Sequence, residues 1–417
     1  MSKVLTLNGN VLINNGNAVL DPETGGGQSS SVTEKDVNFI DYDGTLLYSY
    51  TVQEFSALSS LPENPSHEGL TAQGWNWTKE QITTQLTATP TQKIWVGQMY
   101  VTSSGKTEID IALDDSNLLS PYLKIAVNGT VEVDWGDGSS KTTVTGASLT
   151  SGKYSNHTYS VVGNYTICID VISGSFAFNS SYILSDKTST GNSSKRYNQC
   201  IYNIRLGNDV VISSSYIFAY CNNLYTITIP NSISSIGSNA FYQCFSLKSI
   251  TIPNGITSFG SYFLSNCSSL QSIAIPSGIT SINGYAFYQC FSLKSITIPS
   301  SITTIDNALF SNCYSLKAIE ISNNISSISN TCFYNNYSLK TITIPSGITT
   351  IGTSAFQNCY SLYKIVFKST TPPTVTNSNA FSGLLTDCII SVPTGTLSAY
   401  TSATNYPSSS TYTYIEE

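Results

Sequence analysis

Residues 244–266 read CFSLKSITIPNGITSFGSYFLSN, and the same template recurs on both sides of them with a period of 23 residues. Asn198, Cys221, Cys244, Cys267, Cys290, Cys313, Asn336 and Cys359 hold its first position without a slip. Phe218, Phe241, Leu264, Phe287, Phe310, Phe333 and Phe356 keep the same spacing, as do Leu224, Leu247, Leu270, Leu293, Leu316, Leu339 and Leu362. A unit this short cannot enclose a core, so each must bury its apolar face against its neighbours, and the array is predicted to be a solenoid. Leu247, Ile250 and Ile252 present one face of a short strand, Pro253 ends it by withholding a donor, and Ile256 and Phe259 return to the core. About six buried apolar side chains per coil, at roughly 1.5–3 kcal/mol each, are needed to offset the ordering of the coil, so one coil alone does not fold.

The ten cysteines would suggest disulfides in a secreted chain. Six of them share one repeat column, however, in which Asn198 and Asn336 take the place of Cys. Asn cannot form a disulfide but can bond backbone groups left open where a coil turns, so the column is expected to be a buried ladder of reduced thiols and amides. No CxxC pair and no Cys/His cluster occurs, and no metal site is predicted.

The unit AFYQCFSLKSITIP, present unchanged at 240–253 and 286–299, is similar to the Treponema-type, or BspA-like, leucine-rich repeat. NAFSGLLTDCIISVPTGTLSAYTSATNY at 379–406 looks like the closing unit of such an array. Val392-Pro393 is its expected last strand end, with Leu397, Tyr400 and Tyr406 folded over the exposed edge. Around Thr371, Pro372 and Pro373 the register departs by two residues. Upstream, VEVDWGDGSS at 131–140 and NHTYSVVGNYTICIDV at 156–171 resemble the polycystic kidney disease (PKD) type of immunoglobulin-like domain, through Trp135, Gly136, Asp137, Gly138, His157, Tyr159, Gly163, Tyr165 and Ile167. The resemblance implies a core anchored by Trp and Tyr, a hairpin closed by Asp-Gly, and a rigid spacer or binding module.

The chain therefore reads as mainly β in five parts. Residues 1–31 form an N-terminal attachment arm with two β-prone runs, Val4–Leu7 and Val11–Ile13, and the linker DPETGGGQSSS; residues 32–92 form a small adaptor. Residues 93–197 form the PKD/Ig-like β-sandwich, residues 198–395 the solenoid of 23-residue coils, and residues 396–417 a cap and tail. In the adaptor, Trp75 and Trp77 stand at strand spacing and are expected to face opposite sides.

Only 10% of the residues are charged and the net charge is -7, so no basic surface suits a nucleic-acid backbone. The N-terminus lacks a continuous apolar run, and no membrane-spanning stretch is read, so synthesis in the cytoplasm without membrane insertion is expected. His67 and His157, the two histidines, lie in separate regions, and no nucleophile elbow, phosphate loop or zinc helix is present. Asp114 with Asp115 and Asp134 with Asp137 read as turn residues. A non-enzymatic protein without cofactor is expected.

Binding is the better-supported class. Small residues line the strand face at Thr226, Ser249, Ser272, Ser295 and Thr341, beside a column of Lys248, Lys294, Lys317 and Lys340. The candidate binding residues are two aromatic columns: Phe245, Phe291, Tyr314, Tyr337 and Tyr360 just after the Cys column, and Tyr242, Tyr288 and Tyr334 after the Phe column. Repeated once per coil, they are expected to form a stripe for sugar rings or a protein, or else to pack coil upon coil. The L-x-L-N-G-N pattern of the arm looks like the opening of some bacteriophage structural proteins. It implies a head or tail fibre on a virion surface, attached to capsid or tail protein by its N-terminal region, forming a dimer or trimer and binding a host surface glycan or protein. The alternative is a bacterial or protist cell-surface adhesin.

Overall fold

The computed structural model describes residues 35–88, 93–178, 182–185, 197–212 and 214–417, together with the strands Val4–Leu7, Asn10–Asn14 and Ala18–Val19. Those three strands pair antiparallel, with Leu5 opposite Leu12 and Ile13 opposite Val19. The linker at 21–31 lies outside the described residues.

From Asn198 onward the repeat closes into stacked coils. Equivalent residues pair in parallel one period apart, Ser258 with Ser281, Ser327 with Thr350 and Thr341 with Lys364. The Phe column stacks ring on ring: Phe287, Phe310, Phe333, Phe356 and Phe381 succeed one another at centroid spacings of 5.3–5.7 Å. Where Leu264 interrupts the column, Phe263 and Phe259 fill the space, stacked at 4.4 Å and in edge contact with Phe241 and Phe287. The coil thus keeps its packed volume by moving the ring to a neighbouring position.

The cysteine column is buried and every cysteine is free. The thiols of Cys244, Cys267, Cys290, Cys313 and Cys359 each donate to a carbonyl 26 residues earlier, at 3.1–3.3 Å. Asn336 does the same with its amide, to Phe310 at 2.9 Å. Asn198 donates to Ala219 and accepts from the Leu184 N–H.

Each coil turns through two left-handed residues. Tyr220, Gln243, Asn266, Gln289, Asn312, Asn335 and Asn358 have φ between 59° and 64°, and a second column four residues earlier, Tyr216 to Ser354, lies between 51° and 63°. Of the residue types in the first column, Asn tolerates this region best. It also links the turns: Asn358 donates to Asn335, and Asn335 to Asn312, at 2.8–2.9 Å.

The extra residues near Thr371–Pro373 are absorbed without breaking the stack. Pairing shifts so that Thr350 meets Thr374 and Lys364 meets Ile389. Val392-Pro393 is not the last strand end, because Thr413–Glu416 adds a further parallel strand beside Ile389–Val392. Tyr400 is buried and Tyr406 packs between it and Phe381, as expected of a cap, but Leu397 faces solvent. Leu397 opens a five-residue helix whose buried face carries Tyr400.

Upstream, strands Thr107–Leu113, Tyr122–Asp134, Thr142–Asn156 and Gly163–Phe178 form one sheet. Gly146, Gly129 and Gly174 lie side by side across the three long strands, and a Cβ on any of them would run into a neighbouring backbone. Trp135 and Tyr159 anchor the core, with the Tyr159 hydroxyl on the Trp135 carbonyl at 2.8 Å. His157 stacks on Trp135 and bonds Asp137 at 2.7 Å. This sheet runs on into the solenoid: Thr107–Leu113 pairs with Ile201–Arg205, which pairs with Thr226–Thr228. Arg205 bridges Glu108 and Asp110 at 2.7 Å across that seam. The first solenoid strand is therefore covered rather than left as an open edge.

The adaptor sheet is made of Val37–Ile40, Leu46–Tyr50, Leu70–Trp75 and Ile94–Thr102. The last strand, which a boundary at residue 92 assigns to the sandwich, instead pairs with Val37–Ile40 and Leu70–Trp75. All nine of its residues are buried, because Ile94 and Val96 enter the adaptor core while Trp95 and Gly97 face the solenoid.

Candidate functional site

The strand face of the middle coils is not open. The adaptor lies on it, and the small residues read as an exposed column are the floor beneath: Ser249, Thr251, Ser272 and Thr297 are buried. Trp77 donates its indole N–H to the Ile275 carbonyl at 2.6 Å, and Asn76 donates to Ala274 at 3.0 Å. Gln85 donates to Ile298 and accepts from the Ser300 N–H, and Trp95 donates to the Ser295 hydroxyl at 3.0 Å. A Cβ on Gly97 would collide with Thr251 and come within 2.9 Å of the Ala274 Cβ, so glycine permits the close approach. Small residues on the solenoid, a glycine on the adaptor and amide or indole donors between them form one close junction. Trp75 and Trp77 do not divide between core and solvent; both are buried. Thr226 is covered too, bonded to Asn203. The strand face becomes accessible farther along, where Thr341 is half-buried and Lys317, Lys340 and Thr343 are exposed.

Beside this free stretch stands the first aromatic column. Phe291, Tyr314, Tyr337 and Tyr360 stack face to face at 4.8, 4.7 and 5.4 Å, within 17° of parallel. Tyr314 and Tyr337 therefore use both ring faces on their neighbours, Phe291 and Tyr360 use one each, and Gly383 abuts Tyr360 at the end of the run. What the stack leaves for a ligand is mainly a row of ring edges and phenol hydroxyls; Tyr360 is 52% exposed and Tyr363, three residues later in the same coil, 46%. Burial first, then the Tyr314 and Tyr360 phenols, push the Tyr337 phenol up, so it stays a donor. Phe245 is exposed at the same repeat position, two coils earlier than Phe291 and without a partner ring at position 268.

The second column is dispersed. Tyr242 meets Tyr220 edge-on at 5.6 Å, Tyr288 meets Tyr285 at 5.7 Å, and Tyr334 is half-buried. Sequence reasoning missed Tyr262 and Tyr285, which stack at 4.7 Å; their common position in consecutive coils was the available signal.

Three of the four acids in these pairs cap turns: Asp115 accepts from Asn117 N–H, Asp134 from Gly136 and Asp137 from Ser139. Among the described residues no group of three His, Cys, Asp or Glu side chains is placed to hold a metal ion, and no helix is long and apolar enough to cross a membrane.

A family model described as BspA type leucine-rich repeat region matches in six copies, over residues 189–317 and 280–405, which together span just over half of the chain. The chain belongs to that family. Solved structures similar to it include a leucine-rich repeat protein of Treponema pallidum, at 27% identity over 40% of this chain and 78% of that one, with a TM-score of 0.31. A leucine-rich repeat protein of Bacteroides ovatus is 25% identical over 57% and 68%, with a TM-score of 0.37. A leucine-rich cell surface protein of Faecalibacterium prausnitzii is 25% identical over 46% and 65%, with a TM-score of 0.31. No curated protein matches the chain. The BspA-type assignment accounts for the coils, the Leu and Phe columns and the ladder of cysteines, and it is an assignment to a repeat rather than to an enzyme.

Proposed function

We propose that this chain is a surface adhesin that recognises its target, a protein or glycan, through the accessible part of the solenoid. The observation that carries the reading is the continuous ladder Phe291–Tyr314–Tyr337–Tyr360, standing beside the uncovered strand face while the adaptor fills the rest of that face. Tyr edges and hydroxyls on a rigid support give contact area at low entropic cost. With both faces of Tyr314 and Tyr337 taken up by stacking, edge contacts and hydrogen bonds, rather than sugar rings lying flat, are the mode the middle of the ladder favours. Replacing Tyr337 and Tyr360 by Ala should lower adhesion of the purified protein to host cells or matrix at least tenfold and leave the fold intact. Unchanged adhesion of the double variant overturns the ladder as the recognition surface.

The finer reading places the chain on a virion, as an oligomeric head or tail fibre held by the small N-terminal sheet at residues 4–19. The PKD-like arrangement of Trp135, Asp137, His157 and Tyr159 fits a stiff spacer between anchor and solenoid. Immunogold labelling against the solenoid separates virion from cell surface. Gold on cell envelopes with bare particles sinks the virion half and leaves the adhesin half standing.

A further inference from the structure

Where the adaptor meets the strand face, the docking leaves a cavity of about 140 Å³ that neither unit possesses alone. Its wall on the solenoid side comes from consecutive coils in one register: Lys248, Gln271 and Lys294 are tied by backbone bonds, Gln271 N–H to Lys248 and Lys294 N–H to Gln271, at 2.9 and 3.2 Å. Ser272 and Ser295 supply hydroxyls beside them, and the adaptor contributes Trp95, Leu46 and the carboxylate of Asp43.

The charges in this cavity are unbalanced. Lys35, Lys106, Lys141 and Lys364 are each paired with a carboxylate. Lys248 instead sits over the Tyr225 ring at 4.9 Å, and Lys294 donates to the Gln271 amide oxygen at 2.9 Å. Neither makes an ion pair within 4 Å among the described residues. Two lysines against one aspartate line it, a surplus of basic side chains in a chain whose net charge is -7. The remaining lining mixes the hydroxyls of Ser272 and Ser295 and the Gln271 amide with the apolar surfaces of Leu46 and Trp95, the chemistry that meets the hydroxyls and C–H face of a sugar, and Asp43 adds an acceptor. The volume suits a single terminal ring.

We propose that this cavity binds the anionic terminal sugar of a surface glycan, with Lys248 and Lys294 holding its acidic group and Ser272, Ser295 and Asp43 its hydroxyls. The proposal deepens the adhesin reading and rests on it, naming the ligand class for a second contact on the same face. The lysine column continues from here through Lys317 and Lys340, whose coils are tied by the same backbone bonds, so further acidic groups of the glycan would meet one ammonium per coil.

The test titrates the full chain by calorimetry with an oligosaccharide ending in glucuronic acid, its sulfated counterpart and the same core ending in glucose. The anionic forms should bind at least tenfold more tightly than the neutral one, with affinity falling as salt rises. Lys248→Gln and Lys294→Gln should each weaken that binding about tenfold while the thermal midpoint stays put, since neither lysine lies in the core. Binding of either anionic form supports the site and identifies its anion. Equal binding of the neutral form, no binding of any, preference for a Glu-rich peptide, or unaltered affinity in both variants overturns it. Should the lysine variants keep full adhesion while the Tyr337 and Tyr360 variants lose it, the cavity assignment falls and the adhesin reading survives.

Discussion

Trp77→Phe is the sharpest probe of the junction between adaptor and solenoid. It keeps a ring in the adaptor core, where Trp77 packs with Phe39, Phe55 and Ile82, but removes the N–H that reaches Ile275 at 2.6 Å. The carbonyl is then buried without that donor at a cost of about 1–3 kcal/mol, and the lost second ring leaves a void, bringing the total to about 2–4 kcal/mol. The loss falls on local opening of the docked face, because Asn76, Gln85 and Trp95 cross the same seam and open with it. Hydrogen exchange read by mass spectrometry should show amides at residues 272–275 and 295–298 exchanging roughly 30- to 800-fold faster in the variant. Thr341–Ile344, beyond the adaptor's bonds, should keep its wild-type rate. Unchanged exchange at 272–275, or equal acceleration there and at Thr341–Ile344, would refute the idea that the adaptor is held to the strand face through this indole.

Two asparagines in the cysteine column should respond oppositely to the same substitution. Asn336 has a buried Oδ1 without a partner, so Asn336→Cys should stabilise the solenoid by about 1 kcal/mol in a reducing urea titration. In contrast, Asn198→Cys forfeits the acceptor for Leu184 N–H and should destabilise by about 1–2 kcal/mol; the same sign for both variants would contradict the ladder. Asp137 offers a pH test: hydrogen bonds from Ser139, then His157, hold its carboxyl down at about 2, below the usual 3.8. Its ionised form is favoured by the fold, so its contribution is complete above about pH 4 and is lost as pH falls toward 2. The stability gap between the wild type and Asp137→Asn, measured by urea midpoint, should therefore be present at pH 6 and closed near pH 2. A gap independent of pH would mean that the Asp137 carboxylate does not stabilise the turn.

Much of the solenoid was legible because its contacts are local in a periodic sense. A residue meets its own copy one coil away, so Phe, Leu and Cys columns in the sequence become stacks and ladders in space. The same logic made the aromatic ladder visible as a column and left open whether its rings would face a ligand or pack coil upon coil; the rings of Phe291, Tyr314, Tyr337 and Tyr360 stack on one another. The left-handed columns were harder to see, since Tyr220, Gln243 and Gln289 take the same φ as Asn312 and only the asparagines advertise it. Leu397 and the strand Thr413–Glu416 were misread because they fall past the last full repeat, where no period guides the eye.

The sequence by itself determined the coil, its period, its reduced thiol column and its membership in a repeat architecture, because each depends on interactions between neighbouring copies of one template. Only the tertiary structure decided which part of the strand face remains available. That outcome rests on Trp77, Gln85 and Trp95 meeting residues about 200 positions away, through pairwise complementarity between a flat glycine-bearing strand and a floor of Ser, Thr and Ala. Such a fit is made once along the chain, so it has no period, and nothing in the linear pattern marks it.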